Sequence, residues 1–365
     1  MEHGPTDAEG RGSSTSAPPP PRRRTRRRLA AELIALAVVG VLLVAAVALT
    51  VQSVYREFYS PSAFVERYLG MLSDGRAAEA MLVPGVAIDS MDLADAGLPM
   101  TASDALLRPA AMASLTEVEI LDESADGDVT HVSVSYRAGA FTGESTFTVE
   151  RAGSIGLAPT WRFSQSPLAV LDLTVRGAMS FQVNGFEIDK RQVSPDGVDA
   201  DPLAPVAMLM FSPGIYSVAV DTAVATSPGV AVLSDSPLTV VPVDLQASPT
   251  EEFVTVVQER VDLFLDECAA QEVLQPTACP FGYYVRERID SPPVWSIAER
   301  PVVTIEPDGA GWKIPRTEAV AHIEVGIRSL FDGSVQPVSE DVPFTFTAQI
   351  EMLPDGTASI AVGGG

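Results

Sequence analysis

From Leu29 to Val51 the chain is apolar almost without interruption, "LAAELIALAVVGVLLVAAVALTV", and the 19 residues from Leu33 to Val51 include no charge. At about 1.5 Å rise per residue such a run covers roughly 28 Å, the thickness of one hydrocarbon core. Tyr55, Phe58 and Tyr59 follow, where an interfacial aromatic belt would stand. The pattern predicts a transmembrane helix over 29–51. Residues 1–28 lack apolar periodicity: "SSTSAPPPP" leads into "RRRTRRR", with nothing to offset the entropy of ordering. They read as a disordered basic tail.

Beyond the span, two segments open alike. "YSPSAFVERYLGMLSDGRAAEAM" starts at Tyr59 and "SPTEEFVTVVQERVDLFLDECAA" at Ser248. Each begins Ser-Pro, read as a helix N-cap followed by proline at the first helical position, and Ser248 with Glu251 has capping-box spacing. Phe64, Val65, Tyr68, Leu69 and Leu72 recur at helical intervals in the first; Phe253, Val257, Val261, Phe264, Leu265 and Cys268 do so in the second. After each helix the period falls to 2. "LTEVEILDES", "DVTHVSVSYRAG", "GESTFTVERAG" and "TWRFS" follow the first, and "PVVTIEPDG", "EAVAHIEVGIRSL", "VPFTFTAQIEMLPDG" and "TASIAVGG" the second. Asp126-Gly127, Asp308-Gly309 and Asp355-Gly356 mark hairpin turns. Each segment therefore reads as α+β, helix against an antiparallel sheet. The stretch "PPVWSIAERP" is an addition to this strand pattern in the second. Between them, "LDLTVRG", "FQVNGFEID", "VAMLMFSPGIYSVAVD" and "SPLTVVPVDLQ" read as four or five strands of a small β-sandwich. The expected organisation is tail 1–28, span 29–51, α+β domain 59–166, all-β domain 168–247, and a second α+β domain 248–362.

Charge sets the orientation. The first 28 residues hold seven arginines against three acids, net +4, whereas residues 52–365 hold 17 basic and 44 acidic side chains, net −27. With Arg22, Arg23, Arg24, Arg26, Arg27 and Arg28 on the cytoplasmic side, everything after Val51 lies outside a single-pass plasma-membrane protein. The arginine block alone would also suit nucleic acid, but an acidic exterior repels polyanions, so no nucleic-acid partner is expected. The lipid bilayer is the first expected partner. Two cleavage alternatives stand beside the uncleaved anchor: a small-x-small site at Ala46-Val47-Ala48, and a loose likeness of "TRRRLA" to a twin-arginine export signal.

Export bears on the chain's two cysteines, Cys268 and Cys279. An oxidising exterior favours a disulfide between them. A zinc site wants four ligands, and none of His3, His131 and His322 is close in sequence; a redox pair usually has C-x-x-C spacing. The expectation is a structural staple pinning a helix end, about 3 kcal/mol by chain entropy. The bias to arginine (22 Arg, with only Lys190 and Lys313 as lysines) suggests a GC-rich bacterial genome.

"SPSAFVERYLGMLSDGRAAEAM" with its following strands resembles the nuclear-transport-factor-two-like cone fold. "FQVNGFEID…FSPGIYSVAVD" resembles PEGA-like β-domains, in which a V-N-G turn precedes a P-G-x-Y strand. The layout resembles that of single-pass envelope proteins of actinobacteria. The resemblance implies a transmembrane helix followed by cone-like α+β modules flanking a small all-β sandwich.

Chemistry is sparse. Enzymes with the cone fold usually place a His, Asp or Tyr inside the cone. By strand parity, however, His131 lies opposite Val132, Val134 and Tyr136, and His322 opposite Ala319, Ala321, Ile323 and Val325, so both histidines face solvent. No G-x-S-x-G elbow and no phosphate-binding glycine loop is present. "DESADGD" from Asp122 lacks calcium-loop spacing and reads as a solvated turn. Trp161, Trp295 and Trp312 read as core more readily than as pocket lining. No catalytic residue, metal ligand or cofactor is assigned. The expected role is a non-catalytic, membrane-anchored extracytoplasmic protein that binds or scaffolds an envelope protein or wall component. The alternative is a small-ligand binder or enzyme using an apolar cone pocket near Tyr68 and Met71.

Overall fold

The computed structural model describes residues 24–156, 158–309, 311–352 and 358–364, and divides into two units, Met1–Phe58 and Tyr59–Gly365. In the first, helix α1 (Arg24–Tyr59) contains the apolar stretch Ala30–Thr50, mean hydropathy 2.9, none of it buried. Among the described residues the helix runs from Arg24 through the predicted span and past Val51. Arginine is a good helix former, so a turn nucleated in the apolar run propagates back through Arg28, Arg27, Arg26 and Arg24. Arg22, Arg23 and the residues before them lie outside the described residues. At the other end the chain is free of Gly and Pro until Pro61, which biases Ser60 away from helix; Ser60 is extended (φ −77°, ψ 161°).

In the second unit, Ser60 caps helix α2 (Pro61–Ser73), its Oγ accepting from the Ala63 amide at 3.1 Å with Pro61 in the first turn, as the Ser-Pro signal predicts. Asp74 and Gly75 end α2, and short α3 (Ala77–Met81) and, after a turn, α4 (Ser90–Asp95) follow. Four antiparallel strands follow in order: β1 (Leu115–Asp126), β2 (Val129–Ala138), β3 (Phe141–Ile155) and β4 (Ala158–Phe163). Alternate residues of β2 are buried, Val132, Val134 and Tyr136 among them, against Phe64, Tyr68 and Leu72 of α2. Gly85 (φ +84°) crosses over Phe163, whose carbonyl oxygen would sit 2.2 Å from a Cβ there, so only glycine fits.

The middle strands are β5 (Leu168–Arg176), β6 (Ser180–Val183) and β7 (Phe186–Asp189), then helix α5 (Lys190–Val193) and β8 (Val206–Phe211), β9 (Gly214–Ala219), β10 (Ala225–Thr226), β11 (Val230–Ser234), β12 (Val240–Gln246) and β13 (Ser248–Pro249). They form a four-stranded sheet, β11-β9-β6-β7, a three-stranded sheet, β12-β5-β8, and the pair β10-β13. Asn184 and Gly185, both at positive φ, make the turn between β6 and β7. β12 lies parallel to β5, which alternation alone does not reveal. β5 is buried on both faces, with Leu171 and Leu173 in the main core and Val170 under Leu93 and Leu98.

Helix α6 (Glu251–Ala269) then lies on a six-stranded sheet: β14 (Arg288–Ile289), β15 (Val294–Glu299), β16 (Glu306–Asp308), β17 (Gly311–Arg328), β18 (Val335–Met352) and β19 (Ala358–Gly364). Its buried stripe is Phe253, Val257, Val261, Leu265 and Cys268, with Phe264 packed at the margin, as helical spacing predicts. The cap is corrected: Thr250, not Ser248, receives the Phe253 amide (3.2 Å). Ser248 and Pro249 are held in strand by β10, and the Thr250 amide is bound to the Val224 carbonyl, so the helix starts only after Thr250. "PPVWSIAERP" supplies strand β15, whereas "PVVTIEPDG" contributes only the three residues of β16. The Asp355-Gly356 turn lies outside the described residues.

The chain is thus mixed α+β: one N-terminal apolar helix, then helices on several β-sheets. The three segments read from the sequence after residue 58 interlock in one compact unit. Leu168 and Phe211 join the core of α2 and β1–β4, Ser103 bridges to Met208 of β8, and one continuous core runs from Leu171 to Phe346.

Candidate functional site

Cys268, buried in the last turn of α6, is joined to Cys279 with S–S 2.05 Å and Cα–Cα 5.8 Å. The loop between them is held elsewhere as well: the Thr277 amide donates to Gln271 Oε1 (2.8 Å), and Trp295 Nε1 donates to the Val273 carbonyl (2.8 Å). Phe281 stacks at 5.0 Å from Trp295. The bridge sits within a packed, hydrogen-bonded loop, the surroundings of a staple. Trp295 and Trp312 are core residues, while Trp161 is half-buried with Nε1 donating to the Tyr59 carbonyl (2.9 Å).

Tyr68 and Met71, the expected pocket residues, line a cleft of about 390 Å³ with Phe64, Arg67, Glu79 and Leu82. Beneath it the interior is filled. The Tyr68 ring is edge-on to Phe163 at 5.0 Å and to Phe147 at 6.2 Å, and Phe64 packs on Phe163 at 5.0 Å. Tyr68 is fully buried, and among the described residues its hydroxyl has no hydrogen-bond partner; the buried hydroxyls of Tyr136, Ser212 and Ser234 share that state. Burial pushes Tyr68 well above the usual tyrosine range, and burial together with the charge of Asp235 pushes Tyr136 up to about 12. These phenols stay protonated at physiological pH and supply no base. By contrast, the Tyr216 hydroxyl accepts from the Phe211 amide (2.8 Å) and donates to the Phe211 carbonyl (3.2 Å).

Strand parity places both histidines correctly on outward faces, each half-buried. His131 Nδ1 lies 3.3 Å from Thr148 Oγ1. His322 has richer company: Nδ1 is 2.7 Å from Asp341 Oδ1, Nε2 is 3.1 Å from Ser339 Oγ, and Glu324 is 4.0 Å from Nε2. Sequence reasoning found the histidine and its face but missed the partners. They lie on the next long strand, and only the β17–β18 register, His322 opposite Asp341, brings them together.

A further recess of about 560 Å³ over β1–β3 is lined by Glu117, Glu119, Ser135 and Glu144, with Glu117 paired to Arg137 at 2.9 Å. "DESADGD" forms the exposed β1–β2 hairpin end. Among the described residues no group of three or more His, Cys, Asp or Glu has the geometry to hold a metal ion. Comparison with protein-family models, with curated proteins and with solved structures returned no match.

Proposed function

We propose that the chain is a single-pass plasma-membrane protein whose body, from Tyr59 onward, works outside the cell by binding or scaffolding an envelope protein or wall component. One observation carries this reading: a helix with an apolar stretch of mean hydropathy 2.9, wholly exposed, leads into an acidic body that contains a disulfide. In water that many outward Leu, Val and Ile side chains is unstable; in hydrocarbon it is the favourable arrangement. A cleaved signal sequence has the same apolar signature, so anchoring and orientation form the first test. Arg22 to Arg28 would hold the anionic inner leaflet at about 1 kcal/mol per arginine near the surface.

The α2–β4 segment as a cone-like module, residues 168–247 as a sandwich of PEGA-like type, and kinship with actinobacterial envelope proteins belong to the same proposal. A helix packed on a four-stranded antiparallel meander, and two sheets that share one core, are the features in their favour. Binding by surface takes precedence over a cone ligand because Phe64, Tyr68, Phe147 and Phe163 fill the cone themselves.

A C-terminal alkaline phosphatase fusion should be active and a fluorescent-protein fusion at the same point dark. The mature protein should keep its N-terminal arginines when its mass is measured. A reporter active only in the cytosol, or a chain cut near Ala48 and released, would overturn the anchored reading. Photo-crosslinking from the Tyr59–Gly365 unit in cells should then recover one stoichiometric envelope partner.

A further inference from the structure

On the outer face of the C-terminal sheet, three side chains have the mutual geometry of a nucleophile, a base and an orienting acid. Ser339 and Asp341 stand two apart on β18 and so share a face, and the register sets His322 of β17 opposite Asp341. An ionised Asp341 accepts only, so the 2.7 Å contact places the ring proton on Nδ1. With the ring proton there, a neutral imidazole has its lone pair at Nε2, 3.1 Å from Ser339 Oγ, which is placed to donate its hydroxyl proton to it. That is the tautomer a general base requires. Glu324, at 4.0 Å from Nε2, is beyond hydrogen-bond distance and leaves the serine contact in place. The imidazole side chain is 29% exposed and Asp341 69%, so the face is open and suits an extended or surface-borne substrate.

We propose that Ser339 is a nucleophile, activated by His322 and positioned through Asp341, that takes acyl groups from carboxylic esters presented to this face. Ser339 Oγ attacks the carbonyl carbon as His322 Nε2 takes the hydroxyl proton. The ester C–O bond breaks, and His322 returns that proton to the leaving alcohol. Water, deprotonated by the same nitrogen, cleaves the acyl-serine to the free acid and restores Ser339, so ester and water give acid and alcohol. The inference goes beyond the anchored binding role and rests on strand register, not on the membrane span.

The test is p-nitrophenyl acetate added to the full chain in detergent, followed by peptide mass mapping. The expected result is an acetyl adduct on Ser339, absent in Ser339→Ala and formed about 100-fold more slowly in His322→Gln. Ser339 is exposed and His322 half-buried on the outer face of the sheet, and an intact disulfide with cooperative melting confirms folding of each variant. Asp341 is a positioning residue: Asp341→Asn should slow acylation comparably, while ¹⁵N shifts of the His322 ring show mixing of the two tautomers. An unmodified Ser339, an adduct that forms as fast without His322, or a wild-type ring protonated at Nε2 would overturn the proposal.

Discussion

Tyr68 and Tyr216 bury the same hydroxyl in opposite circumstances. Among the described residues nothing bonds the Tyr68 oxygen, whereas Tyr216 holds both the amide and the carbonyl of Phe211. A buried polar group without a partner carries its desolvation cost with no return; removing a partner from a buried amide creates such a cost of about 1 to 3 kcal/mol. Tyr68→Phe should therefore leave stability unchanged or raise it by about 1 kcal/mol, and Tyr216→Phe should lower it by about 1 to 3 kcal/mol, measured by chemical denaturation. A clear loss in Tyr68→Phe would mean that an ordered water bonds the hydroxyl. The aromatic seats were legible at this scale: Phe64 and Tyr68 stand on the helical stripe, Phe147 and Phe163 on alternating strands. Which hydroxyls end unpaired was not, because that depends on what packs across from them.

Among the elements, the start of α6 shows how tertiary contacts overrule a local signal. Ser248-Pro249 has the composition of a cap, yet β10 claims both residues for a ladder and the side chain of Thr250 takes the cap. Thr250→Ala should cost about 1 kcal/mol, since its hydroxyl serves both the Phe253 amide and the Ala223 carbonyl. Ser248→Ala should cost far less, and thermal melts of the two variants separate the assignments. At the other end of α6, reducing Cys268–Cys279 removes a constraint on the unfolded chain worth about 3 kcal/mol. Reductant should lower the melting temperature of the wild type and leave a Cys268→Ala, Cys279→Ala double variant unmoved.

For the whole molecule, acid is the informative stress. Asp189, Asp244 and Asp332 are each held below the usual carboxylate range, chiefly by hydrogen bonds from Arg191, Arg176 and Ser334 respectively. A depressed folded-state value gives stability that is fully present above about pH 4, the unfolded range, and is lost as pH falls through the folded values. Melting temperature should hold down to about pH 4 and then decline, and Asp189→Asn should flatten the decline. Asp244 is exposed and Asp189 half-buried, so added salt should weaken the Asp244 effect more than the Asp189 effect.

The partition between sequence and fold follows from the distances involved. An apolar run long enough to cross a bilayer, the change of period from 3.6 to 2, the inward stripe of α6 and the outward parity of His131 and His322 are properties of neighbouring residues, and the chain states them by itself. The parallel pairing of β12 with β5, the transfer of the cap to Thr250 and the meeting of His322 with Ser339 and Asp341 join residues 17 or more apart, or answer to such pairings. Strand register decides them. It is selected by the packing of the whole core, since a shift of one residue turns every side chain to the other face.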